Sequence, residues 1–227
     1  MEAMQSYDGS IFETLAEFRI ARQFINTNRE RLKELGVVIC QHSLQEDVGI
    51  SLLHKHFHIS PYERVTKAFV GNAAHIRPQP IQDADHVAPY LWKLEANKGN
   101  TERRYYPLEF IEITDKTTKA QEQAERVRNT GDFLQEMAAK LCELEVENIF
   151  GISTLHNAGG IVVGDDEMLL ETTDQVNRVL TVAPIPQTEL VSSEVTETTW
   201  QFTSVGEGKT VQECYMHCNQ HCKGHYS

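Results

Sequence analysis

The sequence predicts an α+β fold: a mostly antiparallel sheet or barrel of about eight strands with two main helices packed on it. Two long segments carry apolar residues at helical spacing, whereas most of the remaining chain alternates apolar and polar residues with a period of two. The gaps between the strand-like segments are short. Short gaps favour antiparallel neighbours, because a parallel return needs a crossover of about a dozen residues or more. No internal repeat is apparent.

The first helix is expected near the N-terminus. Ser10 to Glu13 reads as a capping box, in which the serine hydroxyl accepts from a free backbone amide while the glutamate reaches back. Gly36 is a good helix stop. We therefore expect one long helix, irregular near Asn26 to Asn28, with its apolar face formed by residues 11, 15, 18, 25, 32 and 35.

Strand-like segments follow this helix, beginning with the short β-branched run from Val37 to Cys40. A loop with two prolines, HIRPQPIQDADH, spans residues 75–86 and is a candidate lid. The longer segments with strand character are 49–58, 64–71, 87–96 and 104–114.

A second helical region is expected over residues 118–145, with a break near Asn129 to Asp132 because glycine in a helix interior costs about 1 kcal/mol against alanine. Strand signals resume after it, at 149–155, 168–173, 178–183 and 194–203. The predicted organisation is a single α+β domain over residues 1–208, followed by a Cys/His-rich C-terminal tail over residues 209–227.

Composition narrows the class of protein. The net charge of −12 opposes binding to phosphate backbones, so we expect no nucleic-acid partner. The N-terminus lacks the positive charge and apolar core of a signal peptide, and no apolar run is long enough for a membrane span. The five cysteines are not spread like a secreted disulfide framework. We therefore expect a cytoplasmic protein of undetermined oligomeric state.

Three histidines alternate in LLHKHFHI, residues 52–59, and they are the first chemical signal. In a strand His54, His56 and His58 would share one face, with neighbouring Cα atoms about 7 Å apart. Two such rings can hold one Fe or Zn ion, and a third ligand would come from elsewhere. His54 and His56 are the predicted catalytic residues. Glu63, His156 and His58 are the leading further ligands, and His75, His86, Glu109 and Glu112 are others.

The stretch from Gly49 to Gly71 loosely resembles the first metal motif of the cupins, through His54-Lys55-His56 and the later Glu63. The gap before Glu63 is longer than in that family, and its second motif is missing around Leu155 to Asn157. The resemblance therefore transfers neither fold nor activity.

The C-terminus repeats the metal signal. On a helix its cysteines and histidines would fall within an arc of about 140°, a face formed by Cys214, His217, Cys218, His221, Cys222 and His225. Thiolates and imidazoles suit Zn(II) and Cu(I). The alternatives are a disordered tail, a helix that packs its cysteines on the body, lipidation, or donation of tail residues to the histidine site.

Two functions are compatible with these signals. The first is a metal-dependent enzyme, an oxygenase or hydrolase, that uses Fe or Zn on a small organic molecule. The alternative is a non-enzymatic scaffold that binds metal or a small ligand and uses the Cys/His tail. A nucleotide cofactor is not expected, because phosphate-loop and dinucleotide motifs are missing. Two metal-free alternatives remain. His54 or His56 could act as a general acid or base near pH 7, or the histidines could be purely structural.

Overall fold

The computed structural model describes residues 4–82, 86–96, 103–155, 160–189, 195–204 and 210–219. Within these residues the chain is α+β, as predicted, and its strands form one closed, mixed barrel of ten strands rather than about eight. The helices are α1 (Gly9–Glu13), α2 (Phe18–Ala21), α3 (Ile25–Gln41), α4 (Thr118–Asn129) and α5 (Gly131–Glu143). No helix among them combines the length and the apolar character that a bilayer span requires.

The barrel closes in the strand order β1-β6-β4-β5-β2-β3-β8-β7-β10-β9, with β9 pairing back onto β1. The first five strands are β1 (Val48–Leu52), β2 (Glu63–Val70), β3 (Ala73–Pro80), β4 (Val87–Ala96) and β5 (Arg103–Glu112). The second five are β6 (Phe150–Thr154), β7 (Glu167–Asp174), β8 (Val179–Pro186), β9 (Val195–Ser204) and β10 (Thr210–Asn219).

The two sets of five strands repeat one topology, so the expectation of no internal repeat was wrong. In each set the second strand pairs parallel to the fifth and antiparallel to the third. The sets meet at four antiparallel pairs, β1–β6, β4–β6, β3–β8 and β1–β9. Two of these pairs join equivalent strands, with Ile50 opposite Ile152 in β1–β6 and His75 opposite Thr181 in β3–β8. Each of these contacts joins equivalent positions, which is the signature of an approximate two-fold axis.

A short sequence match marks the same duplication. Gly-Ile-Ser-Leu-Leu-His at residues 49–54 corresponds to Gly-Ile-Ser-Thr-Leu-His at residues 151–156. Ser43 and Glu145, each two residues beyond its helix, share a φ of 56°. The match covers few residues because the barrel constrains topology and burial more than it constrains the identity of each side chain.

Two strands were missed, and both have a physical reason. β3 lies in the predicted lid, where Pro78 and Pro80 argued for a loop. Both prolines lie beyond residues 74–76, the part of β3 that pairs with β8, so each has only β2 as a neighbour. β10 lies in the predicted tail. The described part of the tail is thus a barrel strand and not a helix, and the predicted boundary at residue 208 lies outside the described residues.

The first helical region differs from the single helix expected. It is divided into α1, α2, a 3-10 turn at Arg22–Phe24 and α3, and Asp8 rather than Ser10 caps α1. Val37 to Cys40 belongs to α3 and is not a strand. Gly36 does not end this helix. The Phe202 ring occupies the space that a side chain at Gly36 would need, so glycine allows α3 to pack closely on that ring. The second region is broken at Thr130, as predicted.

The main apolar core lies between the helices and the outside of the barrel. Trp200 and Phe150 pack edge to face there, with ring centroids 5.8 Å apart. The buried set around them includes Leu32, Leu35, Ile39, Phe133, Leu141 and Phe202. Because the helices bury this outer face, the interior of the barrel is available for polar side chains.

Equivalent glycines permit the close crossing of strands. A Cβ atom at Gly49 would lie 2.5 Å from the Trp200 carbonyl oxygen, and one at Gly151 would lie 2.5 Å from the Trp92 carbonyl oxygen. We expect Gly49→Ala and Gly151→Ala each to lower the free energy of unfolding by about 1–3 kcal/mol, because backbone must move. Urea denaturation at constant m measures this.

Gly131→Ala is the matched control, since nothing lies within 4 Å of its would-be Cβ atom at the start of α5. It should leave stability unchanged or raise it. Equal, negligible effects at all three glycines would contradict the close packing of these strands.

Candidate metal centre

His54 and His56 turn into the barrel just after β1. The strand ends at Leu52, so the histidines lie on the segment that follows it and not within a strand over 49–58 as expected. The backbone of Lys55, between them, forms an isolated parallel β-bridge with Glu17, which keeps this segment extended. Both His54 and His56 are buried, whereas the His58 side chain is 75% exposed. The predicted alternation therefore holds for two of the three histidines.

Hydrogen bonds fix the orientation of the two buried rings. The Nδ1 atom of His54 lies 2.9 Å from the Leu52 carbonyl oxygen, which can only accept, so this nitrogen carries a proton. Nε2 of His54 and Nε2 of His56 are 2.9 Å apart. Nδ1 of His56 lies 2.8 Å from the Thr173 hydroxyl. Both Nε2 atoms thus point to the same place.

Two side chains from distant parts of the sequence join these rings. Glu171 on β7 and Cys218 on β10 are partners across the parallel β7–β10 pair. One ligand atom from each of His54, His56, Glu171 and Cys218 lies within 4.8 Å of all the others. This interior cluster could hold a metal ion, and its donors are two imidazoles, a carboxylate and a thiol.

The same cavity contains further buried polar side chains, beside apolar ones such as Leu91 and Leu180. Lys67 lies over the Tyr90 ring, with Nζ 4.4 Å from the centroid, and the Tyr90 hydroxyl donates to Glu109. Burial lowers the pKa of Lys67 to about 8 and raises the pKa values of Tyr90 and Glu109. The free space among these side chains is about 30 Å³, enough for an ion or a water or two but not for an organic substrate.

The N-terminal segment covers the histidines. Phe18 of α2 is 1% exposed, and its ring centroid lies 5.0 Å from that of His54 and 5.9 Å from that of His56. Glu13 anchors residues 55–59 by accepting hydrogen bonds from Lys55 Nζ, His58 Nδ1 and the Ile59 amide. These contacts separate the interior cluster from solvent at this point.

Among the other predicted ligands, Glu109 lines the same cavity as the interior cluster and Glu112 lines a surface cleft. The remaining described ones lie elsewhere. His58 binds Glu13, and Glu63 forms a two-fold ion pair with Arg178 at 2.8 and 2.9 Å. His75 on β3 lies opposite Thr181, and His86 lines a surface cleft beside α4. His156, His221, Cys222 and His225 lie outside the described residues.

Cys214 and His217 form an outer cluster with Glu197. The Cys214 sulfur lies 3.5 Å from His217 Nε2, and His217 is the cross-strand partner of Glu197. Burial raises the pKa of Cys214 to about 12 and lowers the pKa of His217. The predicted Cys/His face is therefore divided, with Cys218 inside the barrel and Cys214 and His217 outside it.

Sequence reasoning missed Glu171 and Glu197. Both are ordinary acidic residues of alternating strands, and no local spacing links either of them to a histidine or cysteine. The duplicated topology is the signal that could have placed β7 beside β10.

Comparisons with known proteins add no family to this description. No protein-family model matches the chain, and neither a curated protein nor a solved structure is significantly similar to it.

The ion pair between Glu63 and Arg178 should make the free energy of unfolding depend on pH, and this effect involves no metal ion. The hydrogen bond and charge of Arg178 lower the pKa of Glu63 from 4.5 to about 2. A lowered folded-state pKa stabilises the protein above the unfolded value and loses that contribution as pH falls through the folded value. Glu63→Gln should thus unfold more easily than wild type above pH 4.5, and the difference should shrink as the pH falls towards about 2.

Urea midpoints measured across that pH range test this. Glu30→Gln is the control, because the Glu30 side chain is 84% exposed and solvated. A Glu63→Gln difference that stays constant with pH would show that Arg178 does not hold the carboxylate.

Proposed function

We propose that this protein binds one transition-metal ion inside the barrel, through His54, His56, Glu171 and Cys218. The observation that carries the proposal is the convergence of four ligand atoms, within 4.8 Å of one another, from three separate segments of the chain. Buried groups of this kind rarely meet without a partner that offsets their desolvation.

The donor set favours Zn(II). Structural zinc sites are tetrahedral with four nitrogen, sulfur or oxygen ligands, and the corresponding ligand–ligand distances are about 3.3–3.8 Å. To reach that geometry the two Nε2 atoms, 2.9 Å apart, would separate slightly, and ligand atoms that lie farther apart would move closer together. Fe(II) is the second choice, because two histidines and a carboxylate also suit it.

The hydrogen bonds already suit the bound state. A metal-ligating histidine usually donates its other ring N–H to an acceptor that fixes the ring. His54 does this towards the Leu52 carbonyl oxygen, and His56 would do it towards the Thr173 hydroxyl. Binding therefore requires that His56 shift its proton from Nε2 to Nδ1, where Thr173 can accept it, and that Cys218 release its thiol proton to solvent.

The ion would also stabilise the barrel. Its ligands come from the segment after β1 and from β7 and β10, whose mutual pairing covers only two residue pairs. Metal-binding free energy adds to folding free energy when the site forms only in the folded chain. The proposal includes a reducing, cytoplasmic location that keeps Cys218 as a thiol, in line with the lack of disulfides among the four described cysteines.

Metal content tests the proposal directly. The full chain, expressed without a tag, is expected to bind about one Zn(II) at the interior cluster, and His56→Ala, Glu171→Gln and Cys218→Ser should each lose it. At 100 times Kd the ion contributes about 2.7 kcal/mol, which raises Tm by about 5–10 °C for a chain of this size. Mass spectrometry and thermal unfolding with and without chelator measure both effects.

His58→Ala is the matched control, because it removes a neighbouring histidine that is exposed and bound to Glu13. It should keep the interior ion. Equal metal retention by His56→Ala and His58→Ala, with both folded, would refute the interior site.

A metal-dependent enzyme is the second candidate. It is favoured by Lys67, Tyr90 and Glu109, which bring acid–base groups into the same cavity. Catalysis on an organic molecule would need Phe18 to move, and an open position on the metal. The small free space favours binding over catalysis.

Azide added to the Co(II)-substituted protein separates the two functions. With four protein ligands on the ion, the visible absorption of Co(II) should not change. The Glu171→Gln variant, reconstituted at high Co(II), is the positive control, because removal of one ligand opens a position. A saturable azide effect on the Cys214→Ser protein, in which the outer cluster cannot respond, would overturn the binding function and favour the enzyme.

A further inference from the structure

The outer face of β9 and β10 carries a second set of metal-type ligands. Cys214 and His217 are three residues apart, a spacing that places side chains on opposite faces of a regular strand. The β9–β10 register shifts between Cys214 and Met216, and again between Met216 and His217. This irregularity turns Met216 and Cys218 inward and leaves Cys214 and His217 together on the outside.

The three groups are close and partly shielded. The Cys214 sulfur lies 3.5 and 3.6 Å from the two ring nitrogens of His217, and ligand atoms of Glu197, Cys214 and His217 all lie within 4.8 Å of one another. All three residues are of intermediate burial.

The Glu197 carboxylate is held in place by neighbours. Its Oε2 atom accepts from Trp200 Nε1 at 2.9 Å and from Arg29 Nη1 at 2.8 Å. Those bonds leave Oε1 for a ligand and fix the orientation of the group, as outer partners do in metal sites. The charge of Arg29 opposes a cation, but its side chain is 48% exposed, so water at the surface weakens this repulsion.

We propose a second metal site on this outer face, with Cys214, His217 and Glu197 as ligands for a thiophilic divalent ion such as Zn(II). When the ion binds, the Cys214 thiol releases its proton to solvent and forms a metal–sulfur bond. Three protein ligands leave a fourth position to water, so this ion exchanges more readily than the interior one.

The two sites are separate. His217 and Cys218 are consecutive residues on opposite faces of β10, so the strand lies between the two ions. The outer site shares no ligand with the interior cluster and does not depend on it.

Cd(II) titration of the full chain tests the outer site, read by cadmium–thiolate absorption and equilibrium dialysis. A Cys222→Ser background removes the one cysteine outside the described residues. In this background we expect about two equivalents of bound Cd(II), about one of which disappears in Cys214→Ser and in His217→Gln. Cys218→Ser should lose the other equivalent, and Cys40→Ser, a control far from both clusters, should lose neither.

Circular dichroism confirms that each variant is folded, and His217→Gln provides a second test should Cys214→Ser fail to fold. Two equivalents retained by both folded outer variants would overturn the outer site. Loss of both equivalents in His217→Gln would overturn its independence. If the Cys222→Ser protein bound only the outer equivalent, the proposed function would be contradicted and the outer site would stand.

Discussion

The antiparallel pairing of β1 with β6 is the constraint on which the rest of the structure depends. It joins the two five-strand sets at equivalent positions, Ile50 and Ile152. β1 also pairs with β9, and β6 with β4. Gly49 and Gly151 lie at these two contacts, where a side chain would collide with the neighbouring strand. The end of β1 decides where His54 enters the interior, and closure of the barrel decides that β7 and β10 face it.

Charge balance in the interior favours a cation at the histidine cluster. Burial of a charged carboxylate costs several kcal/mol, and the cavity contains two carboxyl groups, Glu109 and Glu171, with one lysine. A divalent ion bound by Glu171 and a Cys218 thiolate would be neutral overall, since the two histidines bind as uncharged rings. Lys67 and Glu109 then remain as a second, internally balanced pair.

Local patterns predicted the parts of the fold and site that depend on local chemistry. The alternation of His54 and His56 marked both interior rings, and the break near Gly131 was placed correctly. The helix that includes Val37 to Cys40 was missed because packing against the barrel overrode β-branched propensity. Glu171 was missed because its role comes from a parallel strand pair between β7 and β10, and no spacing within the sequence encodes such a pair.

In the Cys/His segment, an irregularity in β10 determines to which face of the strand each cysteine and histidine points. Cys214, His217 and Cys218 suggested one helical face, because their offsets fit a period near 3.6. In the barrel the shifts around Met216 distribute them over two faces, and each face gains an acidic residue from a neighbouring strand: Glu171 inside and Glu197 outside. Thiol and imidazole groups remain clustered, but in two places.

Comparison of the two repeats shows how their interior positions differ. Strand register makes Lys67 equivalent to Glu171 and Ile111 equivalent to Cys218, since each pair occupies the same position in a parallel β2–β5 or β7–β10 ladder. By the same register Glu109 corresponds to Met216. The first repeat thus places a lysine where the second places a metal-type carboxylate, and an isoleucine where the second places a thiol. Under the proposed function one ion serves the interior, with two ligands from each repeat, and the approximate axis explains why a lysine–glutamate pair occupies the opposite half of the same cavity.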